Sequence, residues 1–435
     1  VTIFKGVNMN NFLKKSVSRR NFIKTSMAAS LAAAIPFPRI PGAHAAGSDM
    51  IRIGLVGCGG RGTGAAIDCL NAAPGIEIVA MHDLFQDRLD ASLEKIREAH
   101  PDKIKVSPER FFTGFDGYQK LAACPEVNLI VMAAPPGFRP MHLKAAIEAG
   151  KHVFMEKPVA VDPVGIRSVI ASSALAEQKG LAIVAGTQRR HQARYLEVMK
   201  RIHGGEIGEL VGGQCYWNQE DLWVKEKEPG WSDMEWQCRN WLYFTWLSGD
   251  HIVEQHVHNI DVINWAFRTV PVQAMGMGGR QVRVAPKYGN IYDHFAVEFE
   301  YPGGVRVLSM CRQTAGCAER IEERLVGTKG VAFGYGEVRA ASTWKFEGEE
   351  ANPYVQEHAD LIASIRGGEK PLNEGRRVAE STMCAIMGRM SAYTGRAISW
   401  DWAMQSSELD LSPQKYEFGD LPIAPVAVPG QTPLI

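Results

Sequence analysis

The chain has no CxxC pair among its eight cysteines, which lie scattered as Cys58, Cys69, Cys124, Cys215, Cys238, Cys311, Cys317 and Cys384. That absence argues against a structural zinc site or a thioredoxin-type redox motif. Buried free thiols are the plainer expectation, and one or two disulfides stay open for an exported chain. Neither sign of charge is in excess: 48 Lys and Arg face 48 Asp and Glu, for a formal net charge of zero. A nucleic-acid partner normally demands a basic face for its phosphates, so none is expected. Past residue 50 no apolar run approaches the roughly 18 residues of a spanning helix. What remains is an ordinary globular composition, 46% hydrophobic and 22% charged. Its 435 residues suffice for two domains with sizeable cores.

The opening segment reads as an address. The run from Ser18 through Arg19, Arg20 and Lys24 is followed by an apolar stretch from Met27 to Ile35. Pro36, Pro38 and Pro41 come next, and then the small-residue tripeptide of Ala43, His44 and Ala45. A positive region, an apolar region and a cleavage site in that order make a secretory signal. The paired arginines resemble a twin-arginine export signal. Residues 1–46 are therefore set aside as signal peptide and linker, and the mature protein is expected in the periplasm or otherwise outside the cytoplasm.

Residues 47–175 read as a Rossmann domain that binds a dinucleotide. A short apolar strand from Ile51 runs into Gly57, Cys58, Gly59, Gly60, Arg61 and Gly62, with a helical pattern from Thr63 to Ala72. Gly57, Gly59 and Gly62 fit G-x-G-x-x-G: the first permits a tight turn, the second lets backbone approach a pyrophosphate, the third lets helix and strand pack. Backbone N–H groups at the helix start, those of Gly60 and Arg61 among them, face the phosphates. Asp83 ends the next strand, about twenty residues on, where a carboxylate accepts both ribose hydroxyls. Its charge repels a 2′-phosphate and favours NAD over NADP. Arg88, nearby, covers the adenine or admits NADP; a helix cap before Leu84 is the plainer role for Asp83. A strand from Leu129 to Ala134 then leads to Pro135, and a helix running from His142 closes at Gly150. Another strand, His152 to Met155, ends at Glu156, Lys157 and Pro158. This alternation predicts a parallel sheet with ligands at its strand ends, and adds the strand-end residues Ala134, Pro135, Glu156 and Lys157 to the cofactor set.

Two constellations carry chemistry. Lys157, at a strand end, is placed to reach a ligand beside a nicotinamide, where its ammonium can hydrogen-bond a hydroxyl. Glu254, His258, Asp261 and Trp265 step by three or four and share one helical face. His256 lies off that face, and enters the pocket only for a helix that begins late. His251, Glu254, His256 and His258 are also residue types that hold zinc, and a buried helix with satisfied histidines is the bland alternative; no metal is expected. Between the two constellations come Thr187 to His191, then Trp217, Trp231, Trp236, Trp241, Tyr243 and Trp246. Aromatic walls with Asn218, Gln219 and Arg239 as polar anchors suit a sugar; a loop packed by its own aromatics is the alternative.

The stretch from Gly150 to Pro158 resembles the Glu-Lys-Pro signature of the glucose–fructose oxidoreductase/inositol dehydrogenase family, Gfo/Idh/MocA. The Rossmann start, Pro135 and His142 fit the same pattern, as do Gly327 to Gly330, Glu380, Ser381 and Gly395; the resemblance thereby implies His142 as a further cofactor-binding residue. The resemblance runs from Ile51 to about Trp402. It implies an α/β fold: an N-terminal Rossmann domain, then a C-terminal α/β domain over 176–435 with a large, mostly antiparallel sheet. The last residues are expected to pack back on the Rossmann domain, and the sheet to make a homodimer or tetramer. Glu254, His258 and Asp261 match the family's acid-x3-His-x2-Asp helix, whose histidine faces the substrate; many members have aspartate where Glu254 stands.

The implied activity is oxidation of a secondary hydroxyl on a sugar or glycoside. His258 would take the proton, Lys157 would hold the oxygen, and Glu254 or Asp261 would orient His258. Gln188, Arg190, Trp217, Arg239 and His256 would contact the sugar. The chain looks most like exported members that oxidise the 3-hydroxyl of glucosides. Free nicotinamide is scarce outside the cytoplasm, so the dinucleotide is expected to be tightly bound. Two rivals remain: an NAD-dependent glycosidase of the same fold, whose members differ at the positions of Lys157 and His258, and a non-catalytic sugar-binding relative.

Overall fold

A computed structural model describes residues 49–367 and 370–435. The expected signal segment lies outside them. Six strands make the first sheet: β1 (Ile51–Val56), β2 (Ile76–Asp83), β3 (Phe111–Thr113), β4 (Leu129–Met132), β5 (His152–Met155) and β6 (Ile183–Ala185). All pair in parallel, in the order β3-β2-β1-β4-β5-β6. Helices cover both faces, which is why β4 and β5 are buried at every position and read as unbroken apolar runs. The order reverses between β1 and β4, the switch point where such sheets bind ligands. The sheet outlasts the boundary expected at residue 175. That position falls inside the helix Pro163–Lys179, which Asp162 caps by accepting from the Gly165 N–H and which ends at left-handed Gly180.

The second sheet has nine strands: β7 (Leu210–Gln219), β8 (Gln273–Gly279), β9 (His294–Tyr301), β10 (Val305–Gln313), β11 (Arg320–Gly327), β12 (Gly330–Phe333), β13 (Glu337–Arg339), β14 (Thr343–Lys345) and β15 (Ile398–Ser399). Their order is β14-β13-β12-β11-β7-β10-β9-β8-β15, and only β7 with β10 is parallel. Strand alternation sorts the two faces. Ala274, Val297, Val307 and Cys215 lie on the face packed by helices Val257–Phe267 and Gly375–Thr394. Met275, Met277, Leu308 and Met310 point the other way and stay exposed.

Residues 407–435 form no regular element and run back over the first domain. The Leu411 N–H donates to Asp162, and Phe418 packs against Phe85 and Phe115. All eight cysteines are unpaired; Cys124 and Cys317 are half-buried and the rest buried.

Candidate active site

After β1 the backbone turns so tightly that two positions exclude any side chain. Gly57 has φ +93°, and a Cβ there would sit 2.3 Å from the Ala134 nitrogen. One on Gly62 would sit 1.8 Å from the Gly57 oxygen. At Gly60 nothing lies within 4 Å of such an atom, and at Gly59 only the Arg88 guanidinium, at 3.4 Å. So Gly57 and Gly62 serve the fold, while Gly59 and Gly60 leave bare backbone facing a cavity of 560 Å³. Arg61, Asp83, Arg88, Ala134, Pro135 and His142 also line it. Asp83 accepts from the Cys58 N–H at 2.7 Å and the Phe85 N–H at 2.9 Å. It is not the helix cap, a place Phe85 takes, and each oxygen keeps a lone pair for a ribose hydroxyl. Bare glycine backbone, a helix start and a strand-end acid over one cavity fit a dinucleotide.

Glu156 and Lys157 leave the end of β5 toward different partners. Glu156 pairs with Arg61, which also reaches Asp68 and Glu357, both at 3.3 Å. Glu357 has no exposed side chain, and burial followed by the charge of Glu156 raises its carboxyl well above the usual range. Lys157 crosses to the second domain: its Nζ donates to the Glu254 carbonyl oxygen at 2.7 Å and to Glu254 Oε1 at 3.4 Å. Two of three ammonium protons are thus occupied and one remains. Glu254 Oε2 is buried without a partner. Neither Glu156 nor Lys157 lines the 560 Å³ cavity itself.

His258 opens the helix Val257–Phe267 and stacks on Trp217, ring centroids 5.6 Å apart at 20°. Burial, then the nearby cations of Lys157, Arg189 and Arg61, hold its imidazole well below the ordinary histidine value. The ring is neutral at ordinary pH and bonds to no other described side chain. Trp217 in turn lies under the guanidinium of Arg189, 5.5 Å away, and Arg189 is fixed by buried Glu323. Gln188 donates to Tyr354 at 3.3 Å and leaves its Oε1 buried and unpartnered.

Several expectations need correction. Neither Glu254 nor Asp261 hydrogen-bonds to the His258 ring. Glu254 holds Lys157, and Asp261 is taken by Arg190 at 2.7 Å, Arg377 at 3.1 Å and Ser381 at 2.7 Å. Burial alone would raise the Asp261 carboxyl, but those two arginines outweigh it and hold it below its usual range. Arg190 is consequently an ion-pair residue, and its neighbour Arg189 is the one beside Trp217. His256 is wholly buried, bonded to Ser309 Oγ at 2.7 Å, and does not line the dinucleotide cavity. The histidines of that run part company, since His251 packs on Phe295. Arg239 is an ion-pair residue too, held by Glu235 and by Asp87, which lines the dinucleotide cavity. Trp223, Lys225, Cys238 and Trp241 line the dinucleotide cavity beside Asp83. Residues 188–191 form a tight 3-10 turn, where neighbouring arginines diverge, and sequence spacing gave no signal for Arg189, Glu323 or Glu357.

Residues 51–187 match the family model described as an oxidoreductase family with an NAD-binding Rossmann fold, and 195–333 match the GFO/IDH/MocA C-terminal domain. The chain belongs to the Gfo/Idh/MocA family. Among curated relatives, an inositol 2-dehydrogenase of Acidothermus cellulolyticus is 24% identical over 86% of this chain and 96% of that protein. A glycosyl hydrolase family 109 protein of Streptomyces niveus is 27% identical, but the match spans only 56% of this chain and 46% of that protein. Among solved structures, scyllo-inositol dehydrogenase from Lactobacillus casei, crystallised with NAD(H) and scyllo-inositol, superposes with TM-score 0.61 at 17% identity, covering 80% of this chain and 99% of that one. Aldose-aldose oxidoreductase from Caulobacter crescentus gives TM-score 0.64 at 16% identity, with 80% and 99% covered. At such identities the structures establish the shared Gfo/Idh/MocA fold.

Proposed function

We propose that this Gfo/Idh/MocA protein oxidises a secondary hydroxyl of a sugar or glycoside, reversibly, with a resident NAD. One observation carries the reading: Glu254, which holds Lys157, keeps its Oε2 buried without a partner, as does Gln188 its Oε1, next in sequence to the Arg189 that lies over Trp217. Buried acceptors left unpaired are costly, and a ligand bearing many O–H donors satisfies them. A dinucleotide held by the Gly59–Gly60 backbone and Asp83 would supply the hydride acceptor for the carbinol carbon. His258, neutral and free of bonds to protein, accepts the hydroxyl proton. Lys157 gives its remaining N–H to the same oxygen and stabilises charge that develops there. Glu254 aims that ammonium from the second domain, and Trp217 provides a flat wall against which His258 and a sugar ring pack.

The finer points belong to the same proposal. Asp83 favours NAD over NADP through repulsion of a 2′-phosphate. The 3-hydroxyl of glucosides is the candidate position, the twin-arginine route the candidate path of export, and a homodimer or tetramer the assembled form. Export makes sense of a dinucleotide that stays bound while one sugar reduces what another has oxidised. The glycosidase reading keeps a place because a family 109 glycosyl hydrolase is among the relatives, yet Lys157 and His258 serve a dehydrogenase directly. The test is the nicotinamide absorbance band of purified protein before and after addition of a panel of glucosides and inositols. A bound cofactor reduced by one of them is expected. Release of free sugar from an aryl glycoside without net reduction would replace this reading with the glycosidase.

A further inference from the structure

The tryptophan-rich segment between β7 and the helix Val257–Phe267 reads in sequence as a sugar pocket. In the fold it borders the dinucleotide cavity, to which it contributes Trp223, Lys225, Cys238 and Trp241 alongside Asp83 and Arg88. Its loop is firmly made: Trp236 Nε1 donates to the Lys225 oxygen at 2.9 Å, and the Lys225 N–H donates to Asn240, which is fully buried. It is also fastened to the first domain. Arg239 Nη1 and Nη2 donate to the two oxygens of Asp87 at 3.0 and 3.1 Å, and its guanidinium lies 3.8 Å from the Phe85 ring centroid. The Arg88 guanidinium donates back to the Arg239 oxygen at 3.4 Å.

A second layer lies over the first. The tail ties to the segment through the Met234 N–H on the Gly419 oxygen at 3.1 Å and Gln237 on the Leu421 oxygen at 2.6 Å. Phe418 stacks on Phe85 at 5.9 Å and meets Phe115 at 5.1 Å. Phe85, two residues beyond the ribose-binding acid, is thus gripped by Arg239 and by Phe418.

We propose that residues 220–244 and the tail around Phe418 form a two-layer clasp that binds the adenosine half of the dinucleotide and must open for it to exchange. This rests on the reading of the cavity as a dinucleotide site. Phe85, Arg88, Trp223 and Trp241 line the cavity together with Asp83 and would hold the adenosine; the rings of Trp223 and Trp241 meet edge to face at 6.2 Å. Stacking on such rings holds a base. Its way out is the seam that Arg239 and Asp87 close. A gate slows entry and departure alike, whereas a simple contact slows departure alone.

The full-length protein is stripped of nucleotide and its binding of NADH followed by stopped-flow fluorescence, alongside Arg239→Ala and Phe418→Ala. Phe418 is 48% exposed, so its variant keeps the core intact should Arg239→Ala misfold. Association and dissociation are both expected to quicken about tenfold in each variant. Unchanged rates in Phe418→Ala and Arg239→Ala overturn the clasp, and so does faster dissociation without faster association. If the unaltered protein binds no NADH, the dinucleotide reading falls and the clasp with it.

Discussion

Lys157 has three N–H groups and gives two of them to Glu254, one to its backbone and one to its carboxylate. That leaves a single proton with one direction, which is what a positioned catalytic ammonium needs. His258 is positioned otherwise, by a stack on Trp217 rather than by a carboxylate. Replacing Lys157 or His258 by Ala is therefore expected to slow reduction of the bound dinucleotide by sugar about 10²–10⁴-fold. Bound nucleotide should be retained, because neither residue lines its cavity. Single-turnover absorbance on the loaded protein reads both quantities, and near-normal rates in the two variants would remove them from the chemistry. Both residues were legible in the sequence for a physical reason. A strand end and a helical spacing each fix where a side chain emerges. What occupies that side chain was not legible. Asp261 does share a helix face with His258, yet its partners Arg190 and Arg377 lie 71 and 116 residues away along the chain.

Helices and loops at the junction of the domains are held by charge. His191 sits between Asp360 at 2.5 Å and Glu374 at 3.8 Å, and Glu374 also pairs with Arg377 at 2.7 Å. Burial works against the imidazolium, but the two carboxylates outweigh it and raise His191 from 6.5 to about 9. A raised value means the charged ring stabilises the fold fully below 6.5, and that the contribution is lost as pH climbs through about 9. The amount at stake is about 3 kcal/mol. Thermal midpoints of the native protein should fall across that alkaline window, while those of His191→Gln start lower and stay flatter. Parallel curves would show that the network does not depend on this proton. At this scale the Rossmann strands were legible because buried parallel strands are continuous apolar runs. On the clasp proposal Trp223 and Trp241 serve a nucleotide base rather than a sugar, a distinction that composition alone does not carry because both ligands stack on aromatic rings. What favours the base is the Arg239–Asp87 seam, which joins residues 152 apart in sequence.

Across the whole molecule, one broad surface stands out. Met275 and Met277 on β8 are 64% and 76% exposed, and Leu308 and Met310 on β10 are exposed on the same face. On β9 between them Ala296 links Met277 to Met310, whereas Glu298, paired with Arg306, stands between Met275 and Leu308, so the uncovered face of the nine-stranded sheet carries apolar patches with charge among them. Exposed apolar patches of this kind mark association surfaces. On the proposal that copies of the chain meet there, Met277→Lys should shift the mass in solution from oligomer to monomer by light scattering, with the dinucleotide still bound. An unchanged mass would send the search for an interface elsewhere. The tail over the cofactor cleft has a consequence of another kind, in time rather than in space. Chains are made from the N-terminus and domains fold as they emerge. The glycine loop at Gly57 exists early in synthesis, and Phe418 is added 361 residues later. On the clasp proposal, the cradle stays open until the tail that covers it has been made. A nucleotide entering before then meets no cover, and one entering afterwards must pass the clasp.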